Sequence, residues 1–160
     1  MDISPVKRTT IFCRDIDSSL ALYRDVLGLA IIEDKTVSGA AVAKLIGHSD
    51  VTMRIVHLRA PDGPDAGLIG LYAVLDPELP IAPRAPEGVL HYGQSSVVFS
   101  SARAGEIAAD LRRRGIKFLT EPTEYRLEMD RAYTKAGVYT EMIFYDPDGL
   151  LVAVMGYRPL

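Results

Sequence analysis

Apolar and polar residues alternate along the first half of the chain in a pattern typical of short strands and helices. The β-branched and aromatic run at residues 9–13 predicts a strand. Apolar residues then recur at helical spacing, and either Asp15 or Asp17 caps the predicted helix while Gly28 ends it. The remaining predicted elements are strands at residues 30–36, 51–58 and 68–74 and a helical turn at 40–46. The last two strands form a predicted hairpin around the Pro-Asp-Gly turn at residues 61–63.

The second half of the chain repeats this order of elements. Strands are predicted at residues 94–100, 116–120, 139–145 and 151–157, with a helix at 105–114. The helix-ending glycines, Gly28 and Gly115, are 87 residues apart, and Gly63 and Gly149, which close the two Pro-Asp-Gly turns, are 86 apart. Two markers with nearly the same spacing predict an internal duplication of a strand-helix-strand-strand-strand module.

Two irregular stretches interrupt the pattern. Prolines recur at every third residue from Pro77 to Pro86, which is the repeat of a polyproline II helix and predicts a semi-rigid linker, with a docking motif for an SH3-like partner as the alternative. The predicted organisation is a first module at residues 1–76, a proline-rich linker at 77–93 and a second module at 94–160, in one compact domain overall. A second irregular stretch is predicted at residues 122–137, where a lid over a pocket and a solvated excursion both stay open.

Composition excludes several classes of protein. The 160 residues carry a net charge of −3, are 48% hydrophobic, and include one cysteine and three histidines. The slightly acidic balance, without a basic block, argues against a nucleic-acid partner. A single cysteine excludes a disulfide framework and a cysteine-based zinc site. Because Met1 to Pro5 contain no basic segment and no apolar run approaches about 18 residues, we expect a cytoplasmic protein without a membrane partner.

Two segments resemble a known family. Residues 14–29 (RDIDSSLALYRDVLGL), together with residues 144–149 (FYDPDG), are similar to the vicinal oxygen chelate superfamily of glyoxalase I, bleomycin-resistance proteins and extradiol dioxygenases. The resemblance extends over nearly the whole chain through the duplicated module. It implies an α+β fold in which two tandem βαβββ modules form a curled mixed sheet around a ligand cavity, with the helices on the outer face. It also implies a homodimer, because members often complete their cavities across a subunit interface.

The resemblance also indicates where a metal would bind, since metal-dependent members take four ligands from the first and fourth strands of the two modules. The corresponding positions here are Arg8, Gly70 or Leu71, Ser95 or Ser96, and Ala153. None of these is a good ligand, and the cationic Arg8 repels a divalent metal. Gln94 and His91 lie near the third position but do not complete a set of three or four donors. We therefore expect no cofactor, with a divalent metal on displaced ligands as the alternative.

Strand alternation predicts which side chains line the inner surface. The predicted ligand-binding residues are Arg8, Thr10, Phe12, Tyr72, Ser96 and Tyr139. His57 and Glu141 have the same inward parity and are the candidate catalytic residues, because imidazole and carboxylate groups transfer protons. The structural alternatives are a hydrogen-bonded strand histidine and a carboxylate in a salt bridge, for which Arg8 is one candidate partner. Val56, Leu58, Met142 and Phe144 are expected to pack on the helices.

Three functions stay open from the sequence. The first is a metal-free protein that binds or sequesters a small organic molecule carrying an oxyanion or carbonyl near Arg8. The second is a cofactor-free isomerase or lyase in which His57 or Glu141 transfers a proton and Arg8 stabilises an oxyanion. The third is a metal-dependent lyase, isomerase or dioxygenase with displaced ligands. The sequence therefore leaves open whether the protein is an enzyme.

Overall fold

The computed structural model describes residues 3–160, so the first two residues of the predicted first module lie outside the described part. The chain divides into two compact units, Met1–Pro83 and Arg84–Leu160. This boundary falls inside the predicted linker at residues 77–93, and each unit contains one four-stranded sheet. None of the helices in residues 3–160 is long and apolar enough to cross a membrane.

The first unit is a mixed sheet with strand order β1-β4-β3-β2. Its elements are β1 (Arg8–Phe12), α1 (Ile16–Tyr23), β2 (Ala30–Ser38), α2 (Ala40–Leu45), β3 (Thr52–Arg59) and β4 (Leu68–Asp76). Strand β1 runs parallel to β4, and the other neighbours are antiparallel. The predicted hairpin between β3 and β4 is confirmed, and its turn is closed by the Gly63 amide, which donates to the Ala60 carbonyl at 2.9 Å.

The second unit repeats this topology with strand order β5-β8-β7-β6. Its elements are β5 (Ser96–Ser100), α3 (Ala104–Arg113), β6 (Phe118–Leu127), β7 (Gly137–Tyr145) and β8 (Leu151–Arg158). In the turn before β8, the Gly149 amide donates to the Asp146 carbonyl at 3.0 Å, as expected of a type I turn. The repeated strand order confirms the α+β fold and the internal duplication, and each sheet is open because its first and second strands form the two edges.

Helix α1 shows how the local sequence sets its ends. The Asp15 carboxylate accepts a hydrogen bond from the Asp17 amide at 2.9 Å, so Asp15 is the residue that caps the helix. The helix ends at Tyr23, and the chain then turns as far as Gly28, whose φ of 77° lies in the left-handed region. The apolar spacing predicts a helix that extends to Leu27, but Leu27 belongs to the turn that follows the helix.

The core of each unit lies between the sheet and its main helix. Helix α1 packs against β3 and β4, and α3 packs against β7 and β8. The helix-facing strand residues are at most 2% exposed: Val56, Leu58, Ile69, Leu71, Met142, Phe144, Val152 and Val154. Burying each of these side chains stabilises the fold by about 1.5–3 kcal/mol. The core positions predicted from the alternation are therefore confirmed, and the opposite face of each sheet does not pack against the main helix.

The predicted irregular stretch at residues 122–137 is partly wrong. Strand β6 continues through Pro122 as far as Leu127, and β7 already begins at Gly137. Proline is tolerated here because β6 is an edge strand with register shifts on both sides of Thr120. Only residues 128–136 therefore lie outside the strands, and a lid of the predicted length is not formed.

Candidate functional site

A group of polar side chains lies on the face of the first sheet opposite α1. Thr10 on β1 is in register with Gly70 on β4, and Gly70 is in register with His57 on β3. Arg8 precedes Thr10 by two residues and Tyr72 follows Gly70 by two, so all of them share one face. We call Arg8, Glu33, His57 and Tyr72 the histidine cluster.

His57 lies at the centre of this cluster, with its side chain 14% exposed. Its Nδ1 atom is 2.8 Å from Oε2 of Glu33. Its Nε2 atom is 3.1 Å from the Tyr72 hydroxyl oxygen and 3.4 Å from Nη1 of Arg8. A guanidinium group can only donate hydrogen bonds, which favours the neutral tautomer with its proton on Nδ1 and a lone pair on Nε2. Glu33 then accepts the Nδ1 proton and orients the ring.

Within residues 3–160, the contacts of Arg8 are with uncharged groups. Its Nε atom donates to Oγ1 of Thr10 at 2.9 Å, and its guanidinium carbon lies 5.3 Å from the centre of the Tyr72 ring. The Phe12 ring meets the Tyr72 ring edge to face, with the centres 5.9 Å apart, and is 53% exposed. The cluster and the neighbouring Phe12 therefore combine a positive charge with an accessible aromatic surface, which suits the binding of a small organic anion.

Gly70 provides the space in which these side chains meet. A Cβ atom at this position would lie 2.9 Å from Cδ of Arg8 and 3.0 Å from Cε1 of Tyr72. Any other residue here would force both side chains to move. Neither Gly70 nor Leu71, the two residues that the family resemblance offers for the second metal ligand, has a side-chain donor atom.

The residues at the remaining ligand positions do not fit a metal either. Arg8 is a cation, Ser96 is exposed at the start of β5, and Ala153 is 1% exposed. Within residues 3–160, no three His, Cys, Asp or Glu side chains are grouped in a way that could hold a metal ion. The residues present therefore do not match the donor set that the family's metal site would need.

Glu33 was not among the residues predicted from the sequence. Its carboxylate also accepts a hydrogen bond from Nζ of Lys35 at 2.8 Å. This bond, assisted by His57, holds the pKa of Glu33 below its ordinary value, although burial acts in the opposite direction. A bulge between Ile31 and Glu33 shifts the pairing of β2 with β3, so the faces of β2 could not be assigned from alternation.

Tyr139 and Glu141 lie in the second unit, where two further tyrosines lie close to them. The rings of Tyr125 and Tyr139 are stacked, with centres 5.4 Å apart and planes 10° apart. Tyr157 lies on the other side of Tyr139, at 5.2 Å between ring centres. The Tyr125 hydroxyl donates to Oε2 of Glu141 at 3.2 Å. Burial raises the pKa of Tyr125, and the charge of Glu141 raises it further.

The structure therefore divides the predicted site residues between two places. Arg8, Thr10, Phe12, His57 and Tyr72 come together in the first unit. Tyr139 and Glu141 come together in the second, along with Tyr125, which was missed because its segment was predicted to be a loop. Ser96 joins neither group: it pairs with Leu151 at the start of β8, whereas Tyr139 pairs with Tyr157 near its end.

The second unit also has an open cleft of about 520 Å³ beside the end of α3. Its rim carries two ion pairs, Lys117 with Glu87 at 2.7 Å and Arg112 with Glu121 at 2.6 Å. Each positive charge on this rim is paired with a carboxylate, and none of the site residues predicted from the sequence lines the cleft.

The sequence matches the model of the Glyoxalase/Bleomycin resistance protein/Dioxygenase superfamily over residues 6–154. No curated protein matches it. A glyoxalase family protein from Bacillus cereus has a similar structure, with a TM-score of 0.76 and 18% identity over 98% of this chain and 96% of that one.

Two further solved structures are similar. A glyoxalase/dioxygenase from Nostoc punctiforme has a TM-score of 0.61 and 18% identity, over 99% of this chain and 97% of that one. An antibiotic binding protein from a Streptomyces species has a TM-score of 0.56 and 17% identity, over 99% of both chains. At these identities the similarity establishes the fold.

Proposed function

Because this chain belongs to the glyoxalase/bleomycin resistance protein/dioxygenase superfamily, we propose that it binds a small organic molecule at the histidine cluster. The observation that supports this proposal is the convergence of Arg8 and Tyr72 on Nε2 of His57, at 3.4 and 3.1 Å. The ligand is a partly aromatic or apolar molecule with an oxyanion or carbonyl oxygen. Its proposed role is sequestration, in line with the antibiotic binding protein among the structural relatives.

The expected binding mode follows from the donors of the cluster. An oxyanion takes hydrogen bonds from the guanidinium of Arg8 and the hydroxyl of Tyr72, while the exposed ring of Phe12 packs against the apolar part of the ligand. Hydrogen bonds to a charged group contribute about 1.5–3 kcal/mol each, so Arg8 supplies much of the affinity.

The proposal extends to the state of the protein in the cell. We propose a cytoplasmic homodimer that needs no metal for binding. The mismatch of Arg8, Gly70 and Ala153 with metal ligands supports metal independence, and the family resemblance supports the dimer. Ligand affinity that is unchanged by a chelator, together with the mass of the particle in solution, tests both points.

Calorimetric titration with two matched probes tests the binding proposal. We expect 2-naphthoate to bind more tightly than the uncharged 2-naphthamide, because Arg8 forms a stronger hydrogen bond with a charged carboxylate than with a neutral amide oxygen. Arg8→Met should weaken naphthoate binding by about tenfold or more. Arg24→Met is the control, because it removes the same charge after the end of α1. Equal affinity for the two probes, or equal losses in the two variants, would contradict the proposal.

Proton transfer is the second candidate function, and the contact between Glu33 and His57 favours it. With its Nδ1 proton bonded to Glu33, His57 has its lone pair on Nε2, which is free to act as a base once the ligand oxygen takes the hydrogen bonds of Arg8 and Tyr72. It would take a proton from the carbon beside a carbonyl, and the electron pair would move to the carbonyl oxygen, where Arg8 stabilises the enolate. If the substrate also has a double bond between its β and γ carbons, returning the proton to the γ carbon moves the double bond into conjugation with the carbonyl and completes an isomerisation. Glu141, the other candidate for proton transfer, lies in the second unit, where it accepts a hydrogen bond from Tyr125.

Deuterium exchange distinguishes catalysis from binding alone. The methylene protons of phenylpyruvate, which is both enolisable and anionic, are followed by NMR in deuterated buffer. If His57 acts as a base, the protein speeds exchange and His57→Gln abolishes the acceleration. Glu33→Gln should slow exchange by about 10²-fold or more, as expected when general-base catalysis is impaired. A rate equal to that of buffer alone would exclude proton transfer from this probe and leave sequestration.

A further inference from the structure

We propose that the second sheet carries a binding site for a planar organic cation, formed by the exposed side of the Tyr125 ring and the carboxylate of Glu141. The site lies on the face of this sheet opposite α3, since Glu141 alternates with the helix-facing Met142. All of its residues belong to the second unit, and the proposal does not rest on the function proposed for the histidine cluster.

The tyrosines form a preorganised aromatic surface. Tyr139 is 6% exposed and lies between its two neighbours, whereas Tyr125 is 39% and Tyr157 is 48% exposed. The central ring is fixed by its hydroxyl, which accepts from the amide of Lys135 at 3.0 Å and donates to the carbonyl of the same residue at 2.9 Å. The Tyr157 hydroxyl donates to the Ala136 carbonyl at 3.0 Å. Two ring surfaces are therefore held in place while they remain accessible to a ligand.

Charge decides which ligand this surface favours. The face of an aromatic ring is negative and attracts cations by about 0.5–2 kcal/mol. The acidic residues on nearby strand and loop segments have basic partners: Glu124 pairs with Arg158, Glu128 with Arg126 and Asp130 with Lys135. Among the residues that the structure describes, Glu141 contacts by contrast the uncharged hydroxyl of Tyr125. A carboxylate beside exposed tyrosine rings favours a positively charged ligand.

The shape of the surface favours a planar ligand. One face of the Tyr125 ring lies on Tyr139 in a nearly parallel stack, so much of its exposed area belongs to the other face and the ring edge. A flat aromatic cation can extend the stack on that face while its charge stays near Glu141. The raised pKa of Tyr125 fits this arrangement, because it keeps the hydroxyl protonated and bonded to the carboxylate.

Calorimetric titration with three probes of similar size tests the proposal. N-methylquinolinium is the cation, quinoline at pH 8 is its neutral counterpart and 1-naphthoate is the anion. We expect the cation to bind at least about tenfold more tightly than either of the others at this site, as a cation-π contact combined with a charge pair predicts. Equal affinity for N-methylquinolinium and quinoline would overturn the proposal.

Variants then locate the binding. Glu141→Gln keeps an acceptor for the Tyr125 hydroxyl but removes the charge, and it should weaken N-methylquinolinium binding about tenfold. Tyr125→Leu should weaken it similarly, whereas Tyr125→Phe keeps the ring and should bind within about threefold of the wild type. If Glu141→Gln bound the cation as tightly as the wild type, the proposal would fail.

Two control variants test whether the cation binds at these tyrosines and nowhere else on the protein. Glu124→Gln removes the same charge from β6, but Glu124 is in register with Thr140 and so lies on the helix side of the sheet; this variant should bind the cation normally. Arg8→Met should also bind it normally, while Glu141→Gln should still bind 2-naphthoate. A loss of cation binding in Glu124→Gln as large as that in Glu141→Gln would overturn the proposed site. Loss of both ligands in Arg8→Met would overturn its independence.

Discussion

The two sheets have the same strand pairing but different residues at matching positions. In the first sheet, Thr10, Gly70 and His57 lie side by side across three strands. In the second, the matching positions hold Val98, Ala153 and Ile143. Both sheets bury apolar residues on the helix-facing side, where packing restricts what is allowed. The difference between the opposite faces shows that the duplication preserved the core and let the chemistry of the two modules diverge.

The next row of the sheets shows a second difference. Ile55 and Tyr72 pair in the first sheet, and Glu141 and Met155 pair at the matching position in the second. The first sheet thus presents the cation Arg8 beside an aromatic ring, while the second presents a carboxylate beside tyrosines. We therefore propose that the two modules favour ligands of opposite charge.

The largest expected effects are losses of stability on substitution in the helix-facing core, which the two modules share. Leu58 and Phe144 occupy matching helix-facing positions and are both fully buried. Leu58→Ala should lower the free energy of unfolding by about 2–5 kcal/mol and Phe144→Ala by about 3–5 kcal/mol, because each leaves a cavity. Chemical denaturation measures both, with the exposed Leu75→Ala as the control. If either core variant matched the control, the two helix-facing layers would not be equivalent.

An intermediate effect on stability and ligand affinity is expected at position 70, where the two modules have different residues. Gly70→Ala places a methyl group within 3.0 Å of Arg8 and Tyr72. We expect overpacking to cost about 1–3 kcal/mol of stability and the displaced Arg8 to reduce affinity for 2-naphthoate. Ala153→Gly, at the matching position, should leave naphthoate binding unchanged. Normal naphthoate affinity in Gly70→Ala would show that the cluster does not depend on this space.

The smallest effect concerns the pair that orients His57. Lys35 lowers the pKa of Glu33, so the pair stabilises the folded state above the ordinary pKa of 4.5, and this stabilisation is lost as pH falls through the lowered pKa. In Lys35→Met the pKa of Glu33 should rise towards 4.5, as NMR titration of its carboxyl carbon would show. The stability difference from the wild type should disappear at low pH. Lys44→Met, on α2, is the control, and an unchanged Glu33 titration in Lys35→Met would contradict the assigned cause.

Much of the fold could be predicted from the sequence because its determinants are local. The alternation that places Val56, Leu58, Met142 and Phe144 in the core follows from strand geometry alone. The Gly28 and Gly115 turns indicated the duplication because both adopt positive φ angles that favour glycine. The error at residues 122–137 arose because Pro122 normally ends a strand, whereas the irregular edge pairing of β6 accommodates it.

The candidate sites could be predicted only in part, because they depend on pairing between distant strands. Alternation identified Arg8, His57 and Tyr72 as inward-facing, but not that Arg8 and Tyr72 would both approach Nε2 of His57. Glu33 was missed because the bulge in β2 hides its face. Glu141 was grouped with His57 by parity, whereas its actual partner is Tyr125 on a strand that had been predicted to end earlier.

Exchanging the residues at one matching position tests the difference between the two sheets most directly. His57→Ile gives the first sheet the residue of the second, and Ile143→His does the reverse. Titration with 2-naphthoate should show a loss of about tenfold or more in His57→Ile and wild-type affinity in Ile143→His, with both variants folded by circular dichroism. Unchanged affinity in His57→Ile, or equal losses in both variants, would contradict a ligand site built on the first sheet.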